Sequence, residues 1–163
     1  MTAVGADFTL EMMRVGRRRP GGAGVRWTAA DALALPFPEG TFDGLVSGFL
    51  MRNVTDVNRA CAEQFRVLRR GGRVVCLDTS PLDNASTEPS WLRPVVRFHL
   101  HTAIPLLGRA ITGEGDAYRY LPESTVDFLS ASELAGRYAQ AGFREVGYKK
   151  LMFGTVAIHW GRK

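Results

Sequence analysis

The chain has 163 residues, 45% of them hydrophobic, and a formal net charge of +5. That length supports a single domain with a sizeable core, no apolar run is long enough to span a membrane, and no secretory-leader pattern follows Met1. The positive charge sits mostly on scattered arginines, and the dense run Arg17-Arg18-Arg19 falls where a helix carboxyl end favours cations, so composition argues against a nucleic-acid surface.

In chain order, Met1 to Asp7 reads as the end of a turn and a short strand, followed by Phe8-Thr9 and an amphipathic helix carrying Met12, Met13 and Val15. An acidic residue at such a strand end is either a helix N-cap or a carboxylate placed to grip ribose hydroxyls. Pro20 to Gly24 is a surface turn. Val25 to Ala29 is a second strand, and Asp31 lies just beyond it. Two successive strands therefore finish in an aspartate. On one rim of a parallel sheet, such a pair can bind ribose hydroxyls and a purine amino group.

The run from Asp31 to Asp56 organises the chain. It joins the Leu35-Pro36-Phe37-Pro38 corner to an apolar strand, Phe42 to Phe49, read as covered on both faces. Met51, Arg52 and Asn53 follow the carboxyl end of that strand, where ligands sit in parallel sheets. Asp56 to Arg70 has a helical period, with Val57, Ala60, Cys61, Phe65 and Leu68 inward and Gly71-Gly72 as its expected cap. Arg73 to Asp78 is a buried strand. The order of elements implies a doubly wound α/β sheet with right-handed crossovers.

Cys61 and Cys76 lack metal-ligand spacing and read as reduced core thiols of a cytoplasmic protein. A helical, lid-like insertion is expected at about 84–122. His99 and His101, two residues apart within it, point apart on a helix and do not form a metal pair. A helix is expected from Ala131 or Ser132 through Ala141, with Gly142 at its end. Two strands, Phe143 to Met152 and Phe153 to Gly161, close the chain as an antiparallel hairpin, the last marked by Val156, Ile158 and Trp160. His159 is expected on an edge strand, in a structural role, with a general base as the alternative because histidine titrates in the useful range.

Several of these pieces resemble the UbiE/MenG-type S-adenosylmethionine-dependent C-methyltransferases. They are Gly5-Ala6-Asp7-Phe8-Thr9 with Met12-Met13, Asp31-Ala32 with Leu35-Pro36-Phe37-Pro38, and Thr41-Phe42-Asp43. Arg52-Asn53-Val54-Thr55-Asp56, Arg66 through Arg73, Tyr118-Arg119-Tyr120-Leu121, Ala141-Gly142-Phe143 and the tail from Gly154 to Lys163 extend the likeness over nearly the whole chain. The resemblance implies a Rossmann-like sheet, S-adenosyl-L-methionine as cofactor, and methylation of a ring carbon of a quinone precursor such as demethylmenaquinone.

By the same resemblance, Asp7 binds the cofactor ribose and Asp31 with the Ala32 backbone reads adenine. Gly48 keeps the family's small residue. Arg52 is the candidate for stabilising a substrate oxyanion, the other reading being a surface or loop-anchoring ion pair; Asn53 is expected to order its loop, and Tyr120 (or Tyr118) to hold the ring, relay a proton or pack in the core. Leu50-Met51 replaces the family's glycine-leucine in what is expected to be the pocket wall. A transient contact with a membrane surface would go with a lipid-tailed acceptor. No metal is implied.

The family's first strand, Gly-x-Gly loop and helix are not found ahead of Asp7. The resemblance puts that strand centrally, between the strand ending at Asp7 and the strand of Asp43. The expectation is a truncated sequence, the unit being encoded upstream or supplied by a partner or within a homo-oligomer; the other reading is a decayed fragment. The alternatives in function are a non-catalytic, partner-dependent methyltransferase-like fragment and a methyltransferase of another small aromatic or polyketide acceptor.

Overall fold

A computed structural model describes residues 2–81 and 128–163. The insertion expected at about 84–122, with His99, His101, Tyr118 and Tyr120, lies outside the described residues. The elements are β1 (Ala3–Asp7), α1 (Leu10–Arg18), β2 (Val25–Ala29), β3 (Phe42–Gly48), α2 (Val57–Val67), β4 (Leu68–Thr79), α3 (Ala131–Gln140), β5 (Arg144–Leu151) and β6 (Val156–Arg162). Short 3-10 turns span Gly22–Gly24, Met51–Asn53 and Met152–Gly154.

The strands form two sheets. β1 and β2 pair in parallel, Asp7 opposite Ala29. The other sheet runs β3-β4-β6-β5, with β3 and β4 parallel and β6 antiparallel to both of its neighbours. The C-terminal hairpin is therefore as expected, but β6 is interior and β5 is the edge.

α1 packs on β1 and β2 through Trp27. The indole lies so close to the helix that a Cβ on Gly16 would meet Trp27 Cη2 at 2.4 Å, and its N–H donates to Gly22 O at 2.9 Å. Only a glycine lets the ring approach the helix backbone this closely.

α2 and α3 cover one face of the larger sheet. Asp56 caps α2, accepting from Arg59 N at 2.9 Å. Ser130 and Glu133 form a reciprocal capping box at the start of α3. Between these helices and the sheet lies a core of Met51, Ala60, Cys61, Leu68, Val74, Cys76, Leu134, Tyr138 and Phe143. Phe143 meets Phe65 and Tyr138 edge to face, with ring centroids 5.1 and 5.6 Å apart.

Three features differ from the expectations. α2 stops at Val67, and Leu68 is already extended. Gly71, at φ +78, serves a register shift in β4 rather than a helix cap. β3 is not covered on both faces, since Val46 is 82% exposed. On β6 the residues packed under α3 are Ala157, His159 and Gly161, whereas Trp160 is exposed on the opposite face.

Candidate functional site

A cleft of about 870 Å³ opens between β1 and β3 and is closed at one end by the segments that follow β1, β2 and β3. Asp7, Asp31 and Ala32 all line it. The backbone links the two acidic strand ends, because Ala30 N donates to Asp7 O at 3.0 Å.

The two aspartates are built alike. Asp7 Oδ1 accepts from Thr9 N at 2.7 Å, and Asp31 Oδ1 accepts from Leu33 N at 2.8 Å. Each carboxylate thus fixes its own turn through one oxygen. The second oxygen of each has no hydrogen bond among the described residues. The N-cap reading and the ligand reading of Asp7 are therefore compatible, one oxygen for each.

The Asp31 loop is held from behind by α2. Arg66 makes two hydrogen bonds to Glu63, both at 2.8 Å, and donates to Phe37 O at 2.7 Å and Leu35 O at 2.9 Å. Glu63 Oε2 also accepts from Leu35 N at 2.8 Å, and Arg59 Nε donates to Leu33 O at 3.0 Å. Proline has no N–H, so the Leu35-Pro36-Phe37-Pro38 corner presents mainly carbonyls, which a forked guanidinium can collect. The Arg66 hydrogen bond is the main cause holding the Glu63 carboxyl below its usual value. Sequence reading missed both residues; a charged Glu-Arg pair one turn apart on the inner side of an amphipathic helix was the available signal.

Beyond β3 the chain turns through Met51–Asn53 onto a buried carboxylate. Asp78 Oδ2 accepts from Met51 N at 2.8 Å and Arg52 N at 3.4 Å, and Oδ1 from Thr79 N at 2.8 Å. Burial pushes the Asp78 carboxyl above its usual value, against the opposing pull of those N–H groups and of Arg52. Arg52 does not line the cleft. Its side chain is 8% exposed, with Nη1 4.0 Å from Asp78 Oδ1 and the guanidinium over the Phe49 ring at 4.8 Å. Arg52 Nε and Nη1 have no hydrogen-bond partner among the described residues.

Asn53 does line the cleft, and its amide donates to Phe49 O at 2.8 Å. Of the pair Leu50-Met51, Leu50 lines the cleft. Met51 is fully buried against Gln64, whose Nε2 lies 3.4 Å from its Sδ. Only half of that substitution is in the pocket wall.

His159 is far from any cleft role. It is buried under α3, with Nε2 2.9 Å from Ala131 O, so Nε2 carries the proton and donates. Desolvation lowers its pKa, the Ala131 carbonyl and the Asp78 charge opposing. Among the described residues there is no cluster able to hold a metal ion, and no helix long and apolar enough to cross a membrane.

Parallel strand pairs packed with helices, with acidic residues after two strands beside the cleft, define an α/β domain of the type found in S-adenosylmethionine-dependent methyltransferases. The solved structures agree on the fold. A SAM-dependent methyltransferase from Thermotoga maritima superposes with a TM-score of 0.65 at 20% identity, covering 99% of this chain and 72% of that one. The [4+2]-cyclase SpnF superposes at 0.67 with 15% identity, covering 100% and 66%, so the fold alone does not specify the chemistry.

Sequence comparison goes further. The chain belongs to the ubiE/COQ5 methyltransferase family, matched over residues 1–163. It is 45% identical over 159 residues to a ubiquinone/menaquinone biosynthesis C-methyltransferase of Desulfotalea psychrophila, covering 98% of this chain and 63% of the relative. It is 42% identical over 160 residues to a demethylmenaquinone methyltransferase of Thermus thermophilus, covering 97% and 70%. The chain thus spans about two thirds of the length of these curated relatives.

Proposed function

We propose that the chain carries the larger part of a methyltransferase that uses S-adenosyl-L-methionine to methylate a ring carbon of a quinone precursor such as demethylmenaquinone. The observation that carries this reading is the pair of cleft-lining carboxylates, each with one oxygen spent on its own turn and the other without a hydrogen bond among the described residues. Two acceptors on adjacent strand ends suit a ribose diol and a purine amino group, and the cleft is large enough for a nucleoside. The family match and the names of the relatives supply the acceptor class.

The cofactor, when bound, supplies a methyl group activated by its sulfonium. The chain's own residues do the rest. Asp7 holds the ribose hydroxyls, and Asp31 with the Ala32 backbone holds the adenine edge. The Glu63-Arg66 clamp keeps the loop after Asp31 in place from behind. Alignment of donor and acceptor contributes several powers of ten to the rate.

A phenolic acceptor must lose its proton before its ring carbon becomes nucleophilic. Arg52, held against Asp78 off the cleft, reaches the resulting oxyanion only once its guanidinium turns out of that pair, and Asn53 orders the loop beside it. Tyr120 (or Tyr118) holds the ring or relays the phenolic proton to solvent. Residues 1–163 act as one domain, in the cytoplasm, and a lipid-tailed acceptor is met at a membrane surface.

The test is titration calorimetry of the cofactor into the wild type and into Asp7→Asn. Loss of a charged acceptor costs about 1.5–3 kcal/mol, or roughly ten- to a hundredfold in affinity. Equal affinities remove Asp7 from the site. A folded chain that binds no cofactor favours a second reading, a methyltransferase-like chain inactive until a partner completes its sheet. The separation of β1 from β3 supports that alternative.

A further inference from the structure

The hairpin between β5 and β6 turns through Met152, Phe153 and Gly154, all with left-handed backbones, at φ +49, +57 and +85. Gly154 is buried, whereas Met152 is 69% and Phe153 59% exposed. Turn chemistry favours glycine or asparagine at such positions, because a larger side chain crowds its own backbone there. Met152 and Phe153 therefore go against local conformation and against hydrophobicity at once. Backbone strain of this kind persists where the surrounding structure enforces it, and such outliers cluster at functional sites.

The turn is enforced. Met152 O accepts from Thr155 N at 3.2 Å and from Thr155 Oγ1 at 2.7 Å, and Thr155 O accepts from Ser80 N at 2.9 Å. These carbonyls are satisfied within the protein, while the two large side chains are turned outward. A tip built this way leaves bulk water without stranding those polar groups.

Positive charge stands just behind the tip. Lys149 and Lys150 precede it, two of the three lysines in the chain, and no acidic residue occurs from Val146 to Lys163. Neighbouring residues on a strand point to opposite faces. Lys149 is opposite Ile158 and Lys150 opposite Ala157, so one lysine stands on each side of the hairpin. At about 3.3 Å per residue they lie roughly 7–10 Å behind Met152. An apolar element in a bilayer interface is buried by about 5–10 Å, to the boundary of headgroups and acyl chains. Insertion of the tip thus brings both ammonium groups to the depth of lipid phosphates.

The tip also lies on the rim that bears the cleft. Thr79, at the carboxyl end of β4, pairs with Val156 just past the tip, and the Met51–Asn53 turn after β3 rests on neighbouring Asp78. β6 is two strands from β3, about 10 Å at ordinary strand spacing. A surface that takes up the tip is thereby brought within a few strand spacings of the cleft.

We propose that this tip docks on an anionic phospholipid bilayer, with Met152 and Phe153 entering the interface and Lys149 and Lys150 meeting lipid phosphates. Its purpose, bringing the cleft to a lipid-tailed acceptor, rests on the methyltransferase reading; the docking itself does not.

The experiment sediments the 163-residue chain, without cofactor, with vesicles of phosphatidylcholine alone and of an equimolar mixture with phosphatidylglycerol. Binding to the mixed vesicles should be stronger by roughly tenfold or more, at about fivefold for each lysine engaged. Met152→Asn and Phe153→Asn suit a left-handed backbone, and each should weaken binding by about tenfold while circular dichroism stays unchanged. Lys149→Gln should weaken binding to the mixed vesicles by about fivefold and leave binding to phosphatidylcholine unchanged. Val75→Thr, opposite Trp160 on the face away from α3, should bind as the wild type does.

A folded wild-type chain that stays in solution beside the mixed vesicles overturns the proposal. So do tip variants that bind as the wild type does, or a loss in Val75→Thr equal to theirs, which moves the contact to the sheet face. Vesicle binding by a chain that binds no cofactor leaves the docking standing and removes the methyltransferase reading. Cofactor binding without vesicle binding does the reverse.

Discussion

The carboxylate of Asp78 anchors the Met51–Asn53 turn, and replacing it by asparagine tests that anchoring without changing the side-chain volume. Both oxygens are in use, Oδ2 by Met51 N and Oδ1 by Thr79 N, each at 2.8 Å. An amide has a single acceptor oxygen, so its NH2 must face one of these donors. One buried N–H left without an acceptor costs about 1–3 kcal/mol. The change also removes the counter-charge 4.0 Å from Arg52 Nη1, on a guanidinium whose side chain is 8% exposed.

Losing one member of a buried pair costs about 3–5 kcal/mol. The low end applies here, because burial already penalises the Asp78 carboxylate and the variant is spared that cost. A loss of about 3 kcal/mol in a chain of this size lowers Tm by roughly 6–12 °C. Thermal unfolding followed by circular dichroism at pH 7.5 measures it. Adding Arg52→Met should recover about 1–2 kcal/mol of the loss, since the orphaned charge leaves with it. A Tm within about 2 °C of wild type, or a double variant that is merely the sum of the singles, refutes the anchoring.

Two further predictions concern buried groups. His159 is held neutral with its pKa below the ordinary value, so the unfolded chain takes up the extra proton first as pH falls. Its contribution is intact above about pH 6.5 and is lost as pH drops below that, by up to about 1.4 kcal/mol per unit. Urea midpoints at pH 7.5 and 5.5 should show a larger fall for wild type than for His159→Gln; equal falls count against the reading. Cys61, pushed up to about 12 by burial and then by neighbouring Cys76, should be inert to a thiol reagent at pH 8 in the native chain. Burial also raises Cys76. Both thiols should react only at the rate of unfolding, and a fast native phase would place one of them outside the core.

How much of this was legible in the sequence depends on whether a feature is local. β1, β2 and the capped α3 follow from short-range pattern and turn chemistry, and the structure has them within a residue or two of expectation. Gly71 shows where local reading stops. A left-handed glycine after a helical run looks the same in sequence whether it closes the helix or serves a shift in the following strand. Here Leu68 already belongs to β4, opposite Phe42 and fully buried, so the glycine falls inside the strand. Likewise, the alternation of Val156, Ile158 and Trp160 announces a strand but not which of its faces will be covered. The covered face bears Ala157, His159 and Gly161, because α3 packs there and an apolar row was left bare on the other side.

The three aspartates that end strands make the same point about function. Asp7, Asp31 and Asp78 look equivalent in sequence, each an acid after an apolar run. What separates them is where the chain goes next. After Asp7 and Asp31 the backbone turns tightly, and the N–H two residues on occupies only one carboxylate oxygen. Both lie at the open cleft, where their second oxygen can meet a ligand. Asp78 instead lies beneath the Met51–Asn53 turn, which arrives from 26 or 27 residues earlier and claims an oxygen that would otherwise be available. Burial, decided by that distant turn, changes a potential ligand into a structural anchor. Arg52 follows from the same encounter, for its backbone and guanidinium both face Asp78 and neither lines the cleft, so its candidacy as an oxyanion partner requires the guanidinium to leave that pair.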